Sequence, residues 1–255
     1  MIRGLYSAAS GMVFNFKQEL TVMNNLANVS TTGYKKEKIT SSDFSNLMIV
    51  PQTGGGMGSP LLAGAAIGTV GAGTEPSEIG LDQSQGDLVD TGNPLDLALS
   101  GPGFFAVQTP SGTFYTRDGT FFKDAMGRLA TANGGLVLGE NGPIQIGQGD
   151  VLVDGDGTVS VGGKVVGRIR LVDFDPQETM LKIGDNYLVP ENPNAQARAA
   201  ATAVINQGYL ERSNVDPTSE MVDMLSALRA YEASQKMIQL QDQTLDRAVN
   251  EVSKV

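Results

Sequence analysis

The chain of 255 residues contains no cysteine, no histidine and no tryptophan. Without cysteine there is neither a disulfide framework nor a thiolate metal site. Without histidine, imidazole general-base chemistry and imidazole metal ligation are excluded. Cations are also scarce: 18 Lys and Arg stand against 28 Asp and Glu, a net charge of -10 that repels a phosphate backbone. Nucleic acid is therefore excluded as an expected partner. Long apolar runs are missing too, since no segment approaches the roughly 18 consecutive apolar residues of a membrane span. Membrane insertion is not expected. The beginning, Met1-Ile2-Arg3-Gly4-Leu5-Tyr6, does not lead into an uninterrupted apolar stretch, because Asn15, Lys17, Gln18 and Glu19 break it. No cleaved secretory signal is expected.

What remains is ordinary for a folded protein, 40% hydrophobic and 18% charged. Its distribution is not ordinary. Apolar residues recur three and four apart at Ile2, Leu5, Ala9, Met12, Phe16, Met23 and Leu26, with Glu19 the one break. The same spacing returns at Met221, Met224, Leu228, Tyr231, Ile238, Leu245, Val249 and Val252, where Gln235 and Asp242 are the polar exceptions. Both ends thus predict helices with heptad seams, and a polar seam residue can set register or oligomeric state. Asp216, Pro217 and Glu220 supply a helix start: a capping carboxylate, proline at the first helical position and an acid in the first turn.

Between the helices, Asn-Gly, Asp-Gly and Ser-Gly turn signals bracket short strand candidates. These are Phe104 to Thr109, Thr113 to Arg117, Gly135 to Leu138, Val151 to Val153 and Val165 to Phe174. One antiparallel domain is expected, with Phe104, Phe105, Phe114, Tyr115, Phe121 and Phe122 filling its core. The expected fold class is α+β: terminal helices forming a coiled-coil-like assembly domain around a central all-β antiparallel domain. The expected segments are 1–34 (N-terminal helical), 35–87 (connector or arm), 88–209 (β-domain) and 210–255 (C-terminal helical). The glycine-rich stretch 51–73 reads either as a disordered loop or as an ordered arm touching neighbours.

Three features imitate catalytic or metal sites. Asp154-Gly155-Asp156-Gly157-Thr158 starts like a calcium loop, but Val159 stands where glycine belongs and Val165 where a bidentate glutamate belongs. A turn between strands accounts for it. Asp173 and Asp175 could share a strand face, yet nothing specifies a cleft between paired carboxylates from separate elements. Arg117-Asp118 could be an ion pair facing a partner, but Asp118-Gly119 is already explained as turn chemistry. No catalytic, metal or cofactor residue is assigned, and no enzymatic activity is expected.

After the first helix comes Asn24-Asn25-Leu26-Ala27-Asn28-Val29-Ser30-Thr31-Thr32-Gly33-Tyr34-Lys35-Lys36. Its Asn, Ser and Thr side chains compete for backbone groups, and Gly33 can take positive φ, so the helix stops here. A plain helix cap with a basic loop suffices for the composition. The string as a whole carries more: Asn25-Leu26-Ala27-Asn28 and Thr32-Gly33-Tyr34-Lys35 resemble the N-terminal signature of the flagellar basal-body rod and hook proteins. Gly208-Tyr209-Leu210-Glu211-Arg212-Ser213-Asn214-Val215-Asp216, with Glu220-Met221-Val222 and Arg229-Ala230-Tyr231-Glu232, is similar to the C-terminal segment of that family. Gly92-Asn93-Pro94-Leu95-Asp96, Gly103-Phe104-Phe105 and Tyr115-Thr116-Arg117-Asp118-Gly119 resemble its β-domain. Only about residues 36 to 80 carry no such likeness.

The resemblance implies a structural subunit of the periplasmic part of the flagellar rod. It implies export by the flagellar type III apparatus without a cleaved signal, and helical self-assembly with itself and with other rod and hook-type axial proteins. The expected assembly interface is Leu5, Met12, Phe16, Met23, Leu26, Met221, Met224, Leu228, Tyr231, Ile238, Leu245 and Val249. The segments Leu136 to Ile144 and Val166 to Phe174, and the tail Leu245 to Val252, look closer to the proximal-rod type than to the distal. The competing reading is a secreted β-domain adhesin or hydrolase with helical stalks.

Overall fold

The computed structural model describes residues 2–49, 68–175, 178–200 and 202–252. Most of the glycine-rich stretch, up to residue 67, lies outside them. The chain opens with helix α1 (Ile2–Ala27), followed by strands β1 (Glu37–Ile49) and β2 (Gly68–Leu81), which pair as a two-stranded ribbon. Then come β3 (Leu88–Asp90), β4 (Leu97–Ser100), β5 (Phe104–Thr109), β6 (Gly112–Thr116), β7 (Phe121–Lys123), β8 (Leu129–Thr131), β9 (Leu136–Gly139) and β10 (Gly142–Pro143). They are followed by β11 (Val151–Val153), β12 (Thr158–Val161), β13 (Lys164–Arg168), β14 (Leu171–Asp173), β15 (Met180–Gly184) and β16 (Tyr187–Pro190). Last are β17 (Arg198–Ala199), β18 (Val204–Gln207), β19 (Tyr209–Glu211) and helix α2 (Pro217–Val252). The fold is α+β.

Two compact units divide the chain. One holds residues 1–24, 39–79 and 218–255, and the other holds 25–38 and 80–217.

The β-unit is organised around β5. Its run Phe104-Phe105-Ala106-Val107 is apolar at every position because both faces are covered. Phe105 and Val107 are fully buried; Phe105 packs with Leu97, Phe121, Val137 and Ile205, while Phe104 and Ala106 pack with Val172, Phe174 and Leu188 on the other side. Antiparallel partners flank β5: β6 along one edge, with β9 and β14 sharing the other. Phe105 meets Phe121 edge-on at 5.2 Å between centroids, the geometry that ring quadrupoles prefer. Of the expected core aromatics, Phe122 is half exposed instead, because the alternation along β7 turns it away from the side Phe121 fills. The expected strand from Val165 to Phe174 is two strands, β13 and β14, separated where Ile169 bridges to Gly139.

In the helical unit α1 and α2 run antiparallel: Gly4 faces Gln241, Gly11 faces Ser234, and the Phe16 ring lies 6.4 Å from that of Tyr231. Small residues let the backbones approach. At Gly4 a β-carbon would collide with the Gln241 amide, whereas at Gly11 it would meet Ser234 Oγ at an ordinary 3.7 Å. The ribbon attaches to the same helix, where the Thr74 amide donates to Ser10 Oγ at 3.2 Å.

Candidate functional site: the motif junction and the helical stripes

The helix stop after α1 becomes a rigid junction through one asparagine. Asn25, almost fully buried, donates from Nδ2 to the Glu37 carbonyl, and its Oδ1 accepts from the Glu37 amide and the Tyr34 hydroxyl. Its side chain thereby stands in for a strand partner, closing the loop 26–36. Gly33 sits at φ 65°, where a β-carbon would run into the Arg117–Asp118 backbone. Only glycine meets both demands. Thr32 Oγ1 donates to Asp118 at 2.8 Å, and Asn186 donates to the Thr32 carbonyl at 3.0 Å.

Lys35 is the centre of the junction. It is 3% exposed, and its Nζ donates to Glu211 Oε1 at 2.6 Å and to the Ser84 carbonyl at 2.7 Å. Glu211 is fully buried; it accepts the Gly86 amide on the same oxygen and Arg117 Nη1 on the other at 3.1 Å. Arg117 Nη2 donates to the Gly101 carbonyl, and the guanidinium lies 5.4 Å above the Phe104 ring centre. Burial pulls Lys35 below the ordinary ammonium range, opposed by the Glu211 charge beside it. Arg117 is lowered by the same burial and held up by the same carboxylate. Arg117 faces inward, onto a glutamate 94 positions away, and Asp118 has a turn role, accepting the Thr120 amide.

A second lysine closes the outer side. Lys182 Nζ donates to the Lys35 carbonyl at 2.8 Å, pairs with Glu37 at 2.9 Å and stands 3.5 Å over the Tyr34 ring. Asn214 of the C-terminal signature accepts the Lys36 amide and donates to Asp82 and Ser84. Three signatures far apart in the chain therefore meet in one buried network. Ser213 caps the Val215 amide beside it, and Val215 is buried. Sequence reasoning passed over Arg117, Glu211, Lys182 and Asn186. Glu211 and Arg117 lay inside quoted signatures, but nothing local shows that a charged residue will be buried opposite another.

Asn28 accepts the Thr31 hydroxyl just past α1, and the rest of the C-terminal signature is on α2. Glu220 is fully buried in its first turn, Ala230 and Tyr231 are half-buried, and Met221, Arg229 and Glu232 are exposed. The expected interface residues divide in two. Leu5, Met12, Leu26, Met224, Tyr231, Ile238 and Leu245 are half-buried, whereas Phe16, Met23, Met221, Leu228 and Val249 are exposed, as is Ala27 of the motif. The intrachain contact sets Ser234 against Gly11 and Tyr231 beside Phe16, and leaves the row through Met221 and Leu228 exposed. Tyr6, Val13, Leu20 and Met23 form an exposed stripe on α1, with Phe16 at its edge, half exposed and otherwise turned to Tyr231, and Met221, Val222, Leu225 and Leu228 form another on α2.

The imitation sites do not assemble. Gly157 donates to the Asp154 carbonyl and Thr158 to Asp156, a turn between β11 and β12. Asp173 accepts its neighbour's amide, and Asp175 lies beyond the strand end, 3.7 Å from Arg198. Among the described residues no helix is long and apolar enough to cross a membrane.

A β-unit closed around a buried ion network, and a separate unit of two paired helices with exposed apolar rows, make the framework of a structural protein. Residues 98–161 match a family model described as flagellar hook protein FlgE/F/G D1 domain, and residues 206–251 match one described as flagellar basal body rod FlgEFG protein C-terminal. The flagellar basal-body rod protein FlgG of Bacillus subtilis (strain 168) is 37% identical, covering 98% of this chain and 99% of the relative. FlgF of Caulobacter vibrioides is 35% identical over all of both chains, and FlgG of Agrobacterium fabrum is 32% identical over 95% of this chain and 96% of the relative. The chain belongs to the flagellar basal-body rod protein family. It is a structural component of the flagellum, not an enzyme.

Proposed function

We propose that this chain is a self-assembling rod subunit whose terminal helices pack against those of neighbouring subunits, itself and other axial proteins, in the periplasmic drive shaft. The observation that carries the reading is the exposed stripe Tyr6, Val13, Leu20 and Met23, spaced seven, seven and three. Contiguous apolar surface of this kind marks an interaction site, and the spacing is that of a helix seam. Contacts between unlike patches that do not close into a ring build a helical shaft. Export through the flagellar type III apparatus without a cleaved signal belongs to this reading, as the family resemblance implies. Val13→Asp with Leu20→Asp is expected to abolish incorporation into basal bodies and motility while the purified chain keeps its β-sheet circular dichroism. Normal rods from that variant would overturn the reading.

For the position within the rod we propose the proximal segment, on the likeness of residues 136–144 and 166–174 to that type. The distal position has its own support in the identity to relatives named FlgG. Gene deletion followed by imaging of basal bodies separates them. Loss of the rod before its distal part forms supports the proximal position, and a complete proximal rod lacking only the distal tube supports the other.

A further inference from the structure

The β-unit carries a cleft of about 770 Å³ that takes no part in the motif junction. Its walls come from the end of β13, from β14 and β17, and from the Gly155–Asp156 turn. Three arginines line it, Arg168, Arg170 and Arg198, a concentration of cations in a chain of net charge -10. Their own chain leaves them poorly neutralised. Arg168 reaches Glu140 at 3.5 Å and Arg198 reaches Asp175 at 3.7 Å, both between half-exposed side chains, and Arg170 has no ion pair among the described residues. Exposed pairs this long contribute little and exchange readily. Two carboxylates share the wall: Glu140, whose pair with Arg168 is the long one, and Asp156, committed to its own turn through Thr158 while its carbonyl accepts Arg168 Nε at 2.8 Å. The wall beside the arginines is built of Ala197, Ala199, Ala200 and Ala203, which leaves room for a main chain. Among the described residues strand β17 pairs with β14 alone, so its other edge can accept an extended segment.

A complementary element exists in the same chain. Residues 39–79 contain Asp43, Glu75 and Glu78 and not one Lys or Arg. The ribbon of β1 and β2 lies mostly in this stretch, with Asp43 and Glu75 exposed on it; its one cation in the described residues, Lys38 at the root, is paired with Asp82. We propose that the arginine cleft receives the acidic β1–β2 ribbon of a second copy. The inference rests on the self-assembly reading and names a contact for it beyond the helices. Cleft and ribbon are unlike surfaces, so each copy offers one and fills another, the head-to-tail relation that propagates. Carboxylates of the incoming ribbon neutralise Arg170 and displace the loose internal pairs, and the charge pattern fixes register and rejects a misplaced strand.

The absence of cysteine makes the test clean. Cells co-express two copies, one carrying Arg170→Cys and the other Glu75→Cys, and isolated basal bodies are treated with a short bismaleimide. A disulfide would be too short for partners held apart by long side chains. A covalent dimer that requires both variants is the expected result. If the chain is present in the basal bodies and no dimer forms, the cleft contact is overturned and the assembly reading stands. If the unsubstituted chain is missing from basal bodies, both fall. A bridge that forms within single copies carrying both substitutions, and never between copies, also overturns the proposal, since the ribbon would then fill its own cleft. Separately, Arg170→Glu with Arg198→Glu is expected to lower incorporation by about tenfold or more through like-charge contact. Adding Asp43→Lys and Glu75→Lys to the same chain is expected to restore it; failure to restore overturns the charge pairing.

Discussion

At the scale of single residues, Glu211 decides more than any other. Its carboxylate pairs with both Lys35 and Arg117, all three nearly or fully out of water. Desolvating such a group costs several kcal/mol per ion, so the cluster specifies a loop position more than it adds net stability. Removing one partner is a different matter. Glu211→Ala leaves two buried cations without their counter-ion and is expected to cost about 3–5 kcal/mol, measured by denaturant unfolding of the full chain. An unchanged midpoint would show that the network is not buried as described. Asp82 answers to pH instead. Lys38 at 2.6 Å and Ser84 lower its carboxyl from 3.8 to about 2. A depressed carboxyl stabilises the fold above its unfolded value, and that contribution is lost as pH falls from 3.8 toward about 2. Because Lys38 is mostly exposed the effect is small. Wild type is expected to exceed Asp82→Asn slightly in stability at neutral pH, with the difference vanishing across that acid window; a difference that persists below it would contradict the assignment.

Elements show how size, not only hydrophobicity, selects a packing face. A heptad spacing admits more than one face on the same helix, and in α2 the apolar-rich row through Met221 and Leu228 competes with the row through Ala227 and Ser234. The second faces α1, where Ser234 opposes Gly11 and the Gln241 amide lies over Gly4, so that the glycines bring the helices close. Close approach gains dispersion contacts along both backbones. Gly11→Ala is therefore expected to be tolerated, since its methyl meets Ser234 at van der Waals distance. Gly11→Leu has no such room and is expected to cost about 1–3 kcal/mol through overpacking. Thermal unfolding of the helical signal by circular dichroism compares the two, and equal melting of both would mean that the helices are not paired through Gly11.

For the molecule as a whole, the two units predict two stabilities. The β-unit has two apolar clusters, one on each face of β5, together with the buried network. The helical unit buries one small-residue seam and leaves its outward stripes in water. Hydrogen exchange on the monomer is expected to be fast over residues 2–24 and 218–252 and slow over the core strands, because helices without full tertiary cover are marginal. The junction refines the boundary. Residues 25–38, tied down by Asn25, Tyr34 and Lys35, are expected to exchange with the β-unit and not with the helix that precedes them. Protection rising evenly from residue 2 to residue 38 would count against two separate units.

Local pattern was enough for the fold class, the start of α2 at Pro217, the strand Phe104–Thr109 and the turn at Asp154–Thr158, because each depends on neighbours a few positions apart. Signature strings at both ends were enough for the family, since they record a shared chain and need no contact to be seen. Whether Lys35 and Arg117 would lie on the surface or be buried could not be read from either. That depends on a carboxylate 176 positions from the one and 94 from the other, brought to them by the pairing of β19 with β3. Likewise the spacing of apolar residues marked the helices but not which row would face inward. Only the folded chain sets Gly4 and Gly11 against α2, and backbone proximity, a property of two elements together, then leaves the row through Met221 and Leu228 exposed.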